Sequence, residues 1–409
     1  MEKLSHHKNY AFITLILFWC GLAILSSMYV TIPLTGMFTT YFNISTNQAT
    51  WIGSAFSLCY ALGCLIYGPF SDKHGRKIFL VCSISLLTIV TLLISFVPNF
   101  SGLIFLRALQ GIIAAAFAPI SFVYAAEMFP AHKRVTALGF ISSGLLMASV
   151  AGQVFSGVIN RLFGWHAIFS MLGGLYLVSS VLVILFLPKD NLPRAKESVW
   201  LKFKQMQNLF KQKQLNFIFF ITFTLLLTLV GMYTLLGSYL SSPEWGLTDQ
   251  QILLVRAVGI VGMLLSPFTG RFARKMGTEF ILRGGLVIAI IGLIGLGLSP
   301  SVVLMVISSV IFVAGIAIVT PITISLINQL GGASRGSAVS FNAFILFLGT
   351  SSGPVLAVYL ISTGHFRLAF ESLAFVLVIG LGASMFIRSK TPAATSVEVN
   401  EAPVKETII

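Results

Sequence analysis

The stretch GPFSDKHGRK at residues 68–77 has a counterpart in the second half of the chain, SPFTGRFARK at residues 266–275. Aligned without a gap at an offset of 198 positions, both stretches contain a proline, a phenylalanine, a hydroxyl residue, a basic residue and a final Arg-Lys pair. Each of them follows a long apolar run. The chain therefore presents the same kind of segment, a basic connection after an apolar segment, in each of its halves.

A second pair of matching positions indicates an internal duplication. Arg134 precedes Gly152 by the same interval as Arg335 precedes Gly353, and the second pair lies 201 positions after the first. Similarity at a fixed period is the sequence signature of repeated structural units. We therefore predict two similar halves that run in parallel, an arrangement that in transporters puts the solute site at the midplane between them.

The composition excludes a soluble domain. Of the 409 residues, 56% are hydrophobic and 9% are charged, and the mean hydropathy is +0.95. Soluble domains carry roughly a quarter charged residues, so much of this surface must face lipid.

The net charge of +14 does not indicate nucleic-acid binding, because the basic residues lie between apolar runs. The four cysteines lie inside apolar stretches without metal-ligand spacing, so we expect no metal site.

Twelve stretches are long and apolar enough to cross a bilayer as helices, each of which needs about 20 residues. These predicted spans, numbered 1 to 12 along the chain, cover residues 10–33, 49–70, 78–97, 100–124, 135–160, 165–187, 215–240, 250–270, 280–298, 302–326, 336–361 and 366–387.

The lysines and arginines define an orientation. If both termini and the even-numbered connections lie on one side, that side carries all 26 basic residues except Arg107, Arg161, Arg256 and Arg367. Basic connections stay in the cytoplasm, so we expect both termini to be cytoplasmic.

The same pattern divides the chain into four parts. We predict an N-terminal six-helix bundle at 1–187, a cytoplasmic linker at 188–214, a C-terminal six-helix bundle at 215–390 and a disordered cytoplasmic tail at 391–409. The linker mixes aromatic and basic residues, so it is either an amphipathic helix on the membrane surface or a solvated basic segment.

The connection after span 2 resembles the signature of the major facilitator superfamily, Gly-x-x-x-Asp-x-x-Gly-Arg-Lys/Arg. Gly68, Asp72, Gly75, Arg76 and Lys77 fill every position of that pattern. The resemblance covers residues of about 10–390. It implies an all-α membrane protein with 12 transmembrane helices in two six-helix repeats, the major facilitator fold, which transports solutes.

This motif has a physical interpretation as a gate on the cytoplasmic side. We expect Asp72 to cap the positive N-terminus of span 11 near Gly336, and Arg76 and Lys77 to pair with Glu127 at the end of span 4. Such contacts would hold the cytoplasmic side closed; the alternative is that these charges only set topology. The ungapped alignment puts Gly270 opposite Asp72, which predicts a gate in one half only.

A second family pattern, Arg-x-x-Gln-Gly, is matched in span 4 by Arg107, Gln110 and Gly111. The resemblance implies proton coupling or substrate contact at Arg107. Arg256 lies at a similar depth in span 8, opposite Leu58 in the ungapped alignment. A charge inside a span is costly unless it faces a partner or a wet cavity, so both arginines are candidate functional residues; the alternative is that they extend to the headgroups.

A third pattern, Gly-Pro followed by glycine in span 5, is typical of antiporters of the superfamily and is met only in part. Gly152 and Gly157 are present as candidate kink positions, but Gln153 stands where proline is expected. The corresponding place in span 11 carries Gly353 and Pro354.

Glu371 is the acidic residue that lies well inside a predicted span. It is either a protonatable coupling group or the partner of Arg367, which lies one helical turn before it. Two arginines with one peripheral acid favour a neutral or anionic solute. The polar residues that could line the solute path are Tyr29, Ser26, Gln110, Gln153, Thr228, Tyr233 and Asn342.

These features favour a secondary active transporter over other classes. The chain has no Gly-x-x-x-x-Gly-Lys-Ser/Thr phosphate loop for an ATP-driven pump and no ligand cluster in its spans for an enzyme. We expect proton-coupled efflux of drugs or other small organic molecules, by a monomer without cofactors in a bacterial inner membrane. The alternative cargo is a sugar, an organic anion or another metabolite.

Overall fold

The computed structural model describes residues 9–190, 209, 211–362 and 364–387, without the side-chain surroundings of residues 46, 47, 68, 72, 249 and 333. Within this part of the chain, all regular secondary structure is helical. Twelve of these helical segments can cross a membrane: Tyr10–Phe42, Gln48–Ser71, Arg76–Ile94, Phe100–Met128, Ala131–Phe163, Trp165–Phe186, Lys213–Leu240, Gln250–Met276, Thr278–Leu298, Val302–Leu330, Arg335–Ile361 and Phe366–Ser384.

The prediction of 12 transmembrane helices is confirmed, and the helices differ from it mainly by being longer. Span 2 continues to His74, span 4 to Met128 and span 10 to Leu330, while span 5 already begins at Ala131. All of these extensions lie on the side of the basic connections, which we call the basic side. Hydropathy marks the hydrocarbon boundary, whereas helical hydrogen bonds continue into the polar region beyond it.

Three spans contain interruptions. In span 1, the first helix ends at Tyr29 and a second begins at Thr35, with Pro33 in the short 3-10 turn between them. Span 4 breaks after Ala114. Span 8 consists of Asp249–Val258, Ile260–Met263, a 3-10 turn at Ser266–Phe268 and Thr269–Met276.

The helix ends repeat between the halves. A capping box of Ser45 and Gln48 begins the helix of span 2, and one of Thr248 and Gln251 begins that of span 8. These reciprocal hydrogen bonds satisfy backbone donors that a helix start leaves unpaired. The equivalence extends to spans 4 and 10, whose first turns are capped by Asn99 and Ser301.

Glycines with positive φ repeat in the same way. Gly75 (φ 103°) joins spans 2 and 3 and Gly277 (φ 88°) joins spans 8 and 9; Gly164 and Gly364 do the same for spans 5–6 and 11–12. Residues with a side chain rarely adopt this conformation. These turns lie 200–202 positions apart.

The repeated ends correct the ungapped alignment of the two basic connections. If Gly75 corresponds to Gly277, then Gly68 corresponds to Gly270, and Asp72 corresponds to Arg274 rather than to Gly270. The offset of 198 is therefore one helical turn too short. A slip of four residues keeps the same helix face in register, which explains why the wrong alignment still matched.

Close helix packing inside each half follows the repeat. In the first half, a Cβ on Gly152 would lie 2.5 Å from the carbonyl oxygen of Ser26, so spans 1 and 5 are in backbone contact. In the second half, a Cβ on Gly353 would lie 2.6 Å from the carbonyl oxygen of Leu227, which brings spans 7 and 11 together. Absence of a side chain lets helix backbones approach closely in membranes.

The predicted linker at 188–214 is described only at 188–190, 209 and 211–214, and the predicted tail at 391–409 lies outside the described residues.

Candidate solute cavity and basic-side closure

A cavity of about 1270 Å³ lies between the two halves. Spans 1 and 5 form its wall in the first half, and spans 7, 8 and 11 form its wall in the second half. Its polar and small lining residues include Tyr29, Ser149, Gln153, Gly157, Asn160, Arg161, Tyr233, Thr234, Ser238, Gln250, Arg256 and Pro354.

The cavity opens away from the basic side. Its mouth includes Asn160 and Arg161, which lie just before the turn at Gly164, and Ser241, which follows the end of span 7. The connection between spans 5 and 6 and the connection between spans 7 and 8 both lie on the side opposite to the basic side.

On the basic side, spans 5 and 8 close the path by backbone contact. A Cβ on Gly139 would lie 2.3 Å from the carbonyl oxygen of Ser266, and one on Gly270 would lie 2.7 Å from the amide nitrogen of Thr136. The Ser143 hydroxyl donates to the carbonyl of Met263 at 3.0 Å. The Gly139 and Gly270 contacts leave no room for a side chain, so this closure is tight.

A polar cluster joins the halves near spans 2, 4 and 11. Arg76 forms an ion pair with Glu127 at 3.2 Å, and its Nη1 donates to the Ser71 hydroxyl at 2.6 Å. Arg335, at the start of span 11, lies 3.6 Å from the same carboxylate. Glu127 therefore contacts one arginine of its own half and one of the other half.

The other members of the predicted gate are placed differently. Lys77 does not reach Glu127 in the described contacts; its Nζ donates to the carbonyl of Ile184 at 2.8 Å. The side chain of Asp72 lies outside the described part of the structure, so its predicted contact with span 11 stays a prediction.

Asp190, which the sequence does not single out, lies on the same motif. Its carboxylate accepts hydrogen bonds from the backbone amides of Arg76 and Lys77 at the start of span 3. A carboxylate there complements the positive end of the helix. A Cβ on Gly75 would lie only 3.1 Å from this carboxylate. The Tyr124 hydroxyl also donates to the carbonyl of Pro188 at 2.9 Å, which fixes the chain just before Asp190.

Arg107 and Gln110 are buried inside the first half. The Arg107 guanidinium donates to Gln110 at 2.6 Å, to the Ser27 hydroxyl at 3.3 Å and to the carbonyl of Ile52 at 3.2 Å, and it lies over the Phe56 ring. Both side chains are 0% exposed, and neither lines the cavity. These internal partners hold Arg107 and Gln110 in the bundle, and a role of either residue in proton coupling or solute binding stays a prediction.

Arg256, the second candidate arginine, lines the cavity. Its Nη2 donates to the carbonyl of Tyr233 at 3.0 Å. The guanidinium lies along span 7 over Gly237, where a Cβ would be 2.5 Å from Nη2. Tyr29, Gln153 and Tyr233 also line the cavity.

Glu371 is outside the cavity. It pairs with Arg367 at 2.8 Å, one turn apart on the outer surface of span 12. This geometry is that of the ion-pair alternative, and a role of Glu371 as a protonatable coupling group stays a prediction.

A smaller cavity of about 60 Å³ continues from Tyr29 towards the basic side. Residues of both halves line it, including Ser142 and Asn342, and Asn342 Oδ1 has no hydrogen-bond partner among the described residues. Tyr60 and Phe347, whose ring centroids are 4.3 Å apart, close this passage between spans 2 and 11.

The predicted kink positions lie within unbroken helices. Span 5 runs through Gly152 and Gly157, and span 11 runs through Gly353 and Pro354. Gly152 and Gly353 are helix contacts, whereas a Cβ on Gly157 would meet no atom within 4 Å and would point into open space.

The chain belongs to the major facilitator superfamily, whose family model matches residues 12–333. The sequence is 24% identical over 350 residues to the multidrug resistance protein MdtG of Proteus mirabilis, with 84% of this chain and 86% of that protein covered. The protein is thus a multi-pass membrane transporter with bacterial relatives, and not an enzyme.

Two solved structures share its fold. The human organic anion transporter MFSD10 has a TM-score of 0.77 at 14% identity and covers 92% of this chain and 99% of its own. The proton:xylose symporter XylE has a TM-score of 0.72 at 16% identity, with 91% of this chain and 94% of its own chain covered.

Proposed function

We propose that this protein exports small organic molecules from the bacterial cytoplasm by alternating access, driven by the proton gradient across the inner membrane. One observation carries this proposal: a cavity of about 1270 Å³ that both halves line and that opens on one side only. Such a cavity can load or release a solute on one side while the other side stays closed.

The basic side is assigned to the cytoplasm, together with both termini. The support is the distribution of lysines and arginines, since basic connections are retained there. With this assignment, the described conformation is open to the outside and is the one from which an exporter releases its solute.

The polar cluster and the contact between spans 5 and 8 are proposed to be the cytoplasmic gate. The corrected repeat supports a role for Asp72 in it. Arg274, its counterpart, donates to the carbonyl of His132 at 2.7 Å, at the start of span 5. By the repeat, Asp72 would lie at the start of span 11, whose first turn offers amide donors instead.

One relative supports export of drugs, since MdtG carries multidrug resistance in its name. The alternative cargo, a sugar, an organic anion or another metabolite, uses the same cavity. An organic anion is favoured by Arg256 and Arg161 in its lining.

The test is transport by the purified protein in liposomes with an imposed pH gradient. Carboxyfluorescein and rhodamine 123 share a xanthene ring system but differ in charge, so they sample anionic and cationic cargo in parallel. We expect the gradient to drive movement of at least one dye, and a protonophore to abolish it. If neither dye nor a panel of neutral sugars responds to the gradient, proton-coupled export is wrong.

A further inference from the structure

The chain that follows span 6 is bound to the start of span 3. The carboxylate of Asp190 accepts hydrogen bonds from the backbone amides of Arg76 and Lys77. The Tyr124 hydroxyl of span 4 donates to the carbonyl of Pro188 at 2.9 Å. These contacts hold the first residues of the linker against spans 3 and 4, so the linker begins at the polar cluster.

The turn before span 3 leaves room for this carboxylate. Gly75 has a φ of 103°, which residues with a side chain rarely adopt, and a Cβ on it would lie 3.1 Å from the Asp190 carboxylate. The first amides of a helix have no acceptor within that helix, and a negative charge complements their dipole. The Lys77 Nζ also donates to the carbonyl of Ile184 in the last turn of span 6 at 2.8 Å. The turn is therefore fixed to the end of span 6 and to the residues that follow it.

The side chain of Arg76 continues this line of contacts towards the second half. Its Nε and Nη2 each lie 3.2 Å from an oxygen of the Glu127 carboxylate. Such a bidentate pair fixes the orientation of both groups. Oε1 of the same carboxylate lies 3.6 Å from Nε of Arg335. A shift of the Arg76 backbone would therefore change how Glu127 faces Arg335.

We propose that Asp190 is a positioning residue of the gate. Its carboxylate holds the backbone of Arg76, so that the guanidinium orients Glu127 towards Arg335 in the other half. This proposal rests on the proposed role of the polar cluster as the cytoplasmic gate. It makes the first residues of the linker part of the closure, and a displacement of the linker then weakens the contact between the halves.

The test measures the conformation of the purified full-length protein, without a gradient or a cargo. Spin labels at the basic ends of spans 4 and 11 report the fraction of molecules that are open on that side. We expect Asp190→Ala to raise this fraction about fivefold or more. Asp190→Asn should raise it less, because its amide oxygen still accepts a hydrogen bond.

A second substitution separates positioning from general stabilisation. Beside Arg335→Gln, Asp190→Ala should raise the open fraction no further, because the contact through which it acts is already lost. If the alanine variant does not fold, Asp190→Asn carries the same test, since its smaller increase must also disappear beside Arg335→Gln. A residue that only stabilises the fold would have the same effect with and without Arg335.

Glu279→Gln is the matched control. Glu279 lies in the first turn of span 9, the counterpart of span 3, and pairs with Arg283 at 3.4 Å. We expect this variant to have the open fraction of the unaltered protein.

The outcomes separate this proposal from the proposed gate. An unchanged open fraction in Asp190→Ala, or an equal increase with and without Arg335→Gln, would overturn the role of Asp190. If Arg335→Gln opens the basic side and Asp190→Ala does not, the gate stands without Asp190. If neither variant opens it, the polar cluster is not the gate, and both proposals fail.

Discussion

Glu127 is the residue on which two arginines from different halves converge. Its carboxylate is 9% exposed, the Arg76 side chain that it pairs with is 7% exposed, and Arg335 is 40% exposed. Removing one partner of a buried ion pair leaves an uncompensated charge and costs about 3–5 kcal/mol, whereas an exposed pair contributes about 1 kcal/mol or less. The two arginines should therefore differ in what they do: Arg76 stabilises the first half, and Arg335 holds the halves together.

This difference leads to a prediction for two variants. Glu127→Gln should lower the melting temperature of the purified protein, because the buried Arg76 side chain loses its ion pair with the Glu127 carboxylate. Arg335→Gln should leave the melting temperature nearly unchanged but increase the fraction of molecules open on the basic side. Thermal unfolding and spin-label distances between spans 4 and 11 measure the two effects. Equal melting temperatures for the two variants would contradict this division of roles.

Sequence reasoning finds charged residues in spans but does not separate Arg107 from Arg256. Both lie at a similar depth, and both are costly there. The difference depends on partners distant in sequence: Ser27 and the carbonyl of Ile52 enclose Arg107, whereas Arg256 meets the carbonyl of Tyr233 at the edge of the cavity. Asp190 was missed for the same reason, since its partners are backbone amides more than 100 positions away.

At the level of elements, the twelve helices follow from hydropathy, but their ends and register do not. Ser45 with Gln48 and Thr248 with Gln251 are capping signals that a sequence presents openly. Used as anchors, they give an offset of 203, one residue from the 202 between Gly75 and Gly277, whereas the shared Pro-Phe pair gives 198. The interval between these anchors is one residue shorter in span 8, which contains a 3-10 turn at Ser266–Phe268, than in span 2, which remains α-helical through Pro69.

The contact between spans 5 and 8 gives a prediction at this scale. In Gly139→Ala, the new methyl group would collide with the backbone at Ser266 in this conformation, whose basic side is closed. Overpacking of this kind costs about 1–3 kcal/mol, which shifts a two-state equilibrium by about 5–150-fold. We expect spin-label distances between spans 5 and 8 to lengthen on the basic side. Gly284→Ala, whose Cβ would meet no atom within 4 Å, is the control and should behave like the unaltered protein. Identical distances in the two variants would show that the contact does not determine the conformation.

For the whole molecule, the repeat explains why one fold can open on either side. The closures pair span 5 with span 8 and span 2 with span 11. Spans 2 and 8 occupy equivalent positions in the two halves, and so do spans 5 and 11, so the two closures are related by the repeat. The paired contacts differ in chemistry, because Arg274 stands where the first half has Asp72. Two closures of similar shape but different polarity can be released by different signals. A ligand shifts the equilibrium between two conformations only by the difference between its affinities for them. A difference in chemistry between the two closures gives a ligand such a difference in affinity.

Alternating access predicts opposite changes in accessibility along the path. Gly157 lines the large cavity, so Gly157→Cys should react with a membrane-impermeant maleimide added from outside. Val339 is 2% exposed and lines the small cavity, so Val339→Cys should resist the same reagent from the cytoplasmic side. Binding of a transported solute on the cytoplasmic side should reverse both reactivities, because the outer mouth closes as the passage at Tyr60 and Phe347 opens.

The four native cysteines are replaced by serine for this measurement, and Val355→Cys serves as the control. Val355 is 71% exposed and lines neither cavity, so we expect a thiol there to face lipid and to stay unreactive in every condition, as thiolates do not form in hydrocarbon. Reactivity at both test positions at once would indicate a continuous pore, and the tight contacts of Gly139 and Gly270 would then not be a closure. Opposite changes in the reactivity of the two test cysteines indicate instead that the two halves move as units around the cavity. Arg256 is then accessible from one side of the membrane at a time.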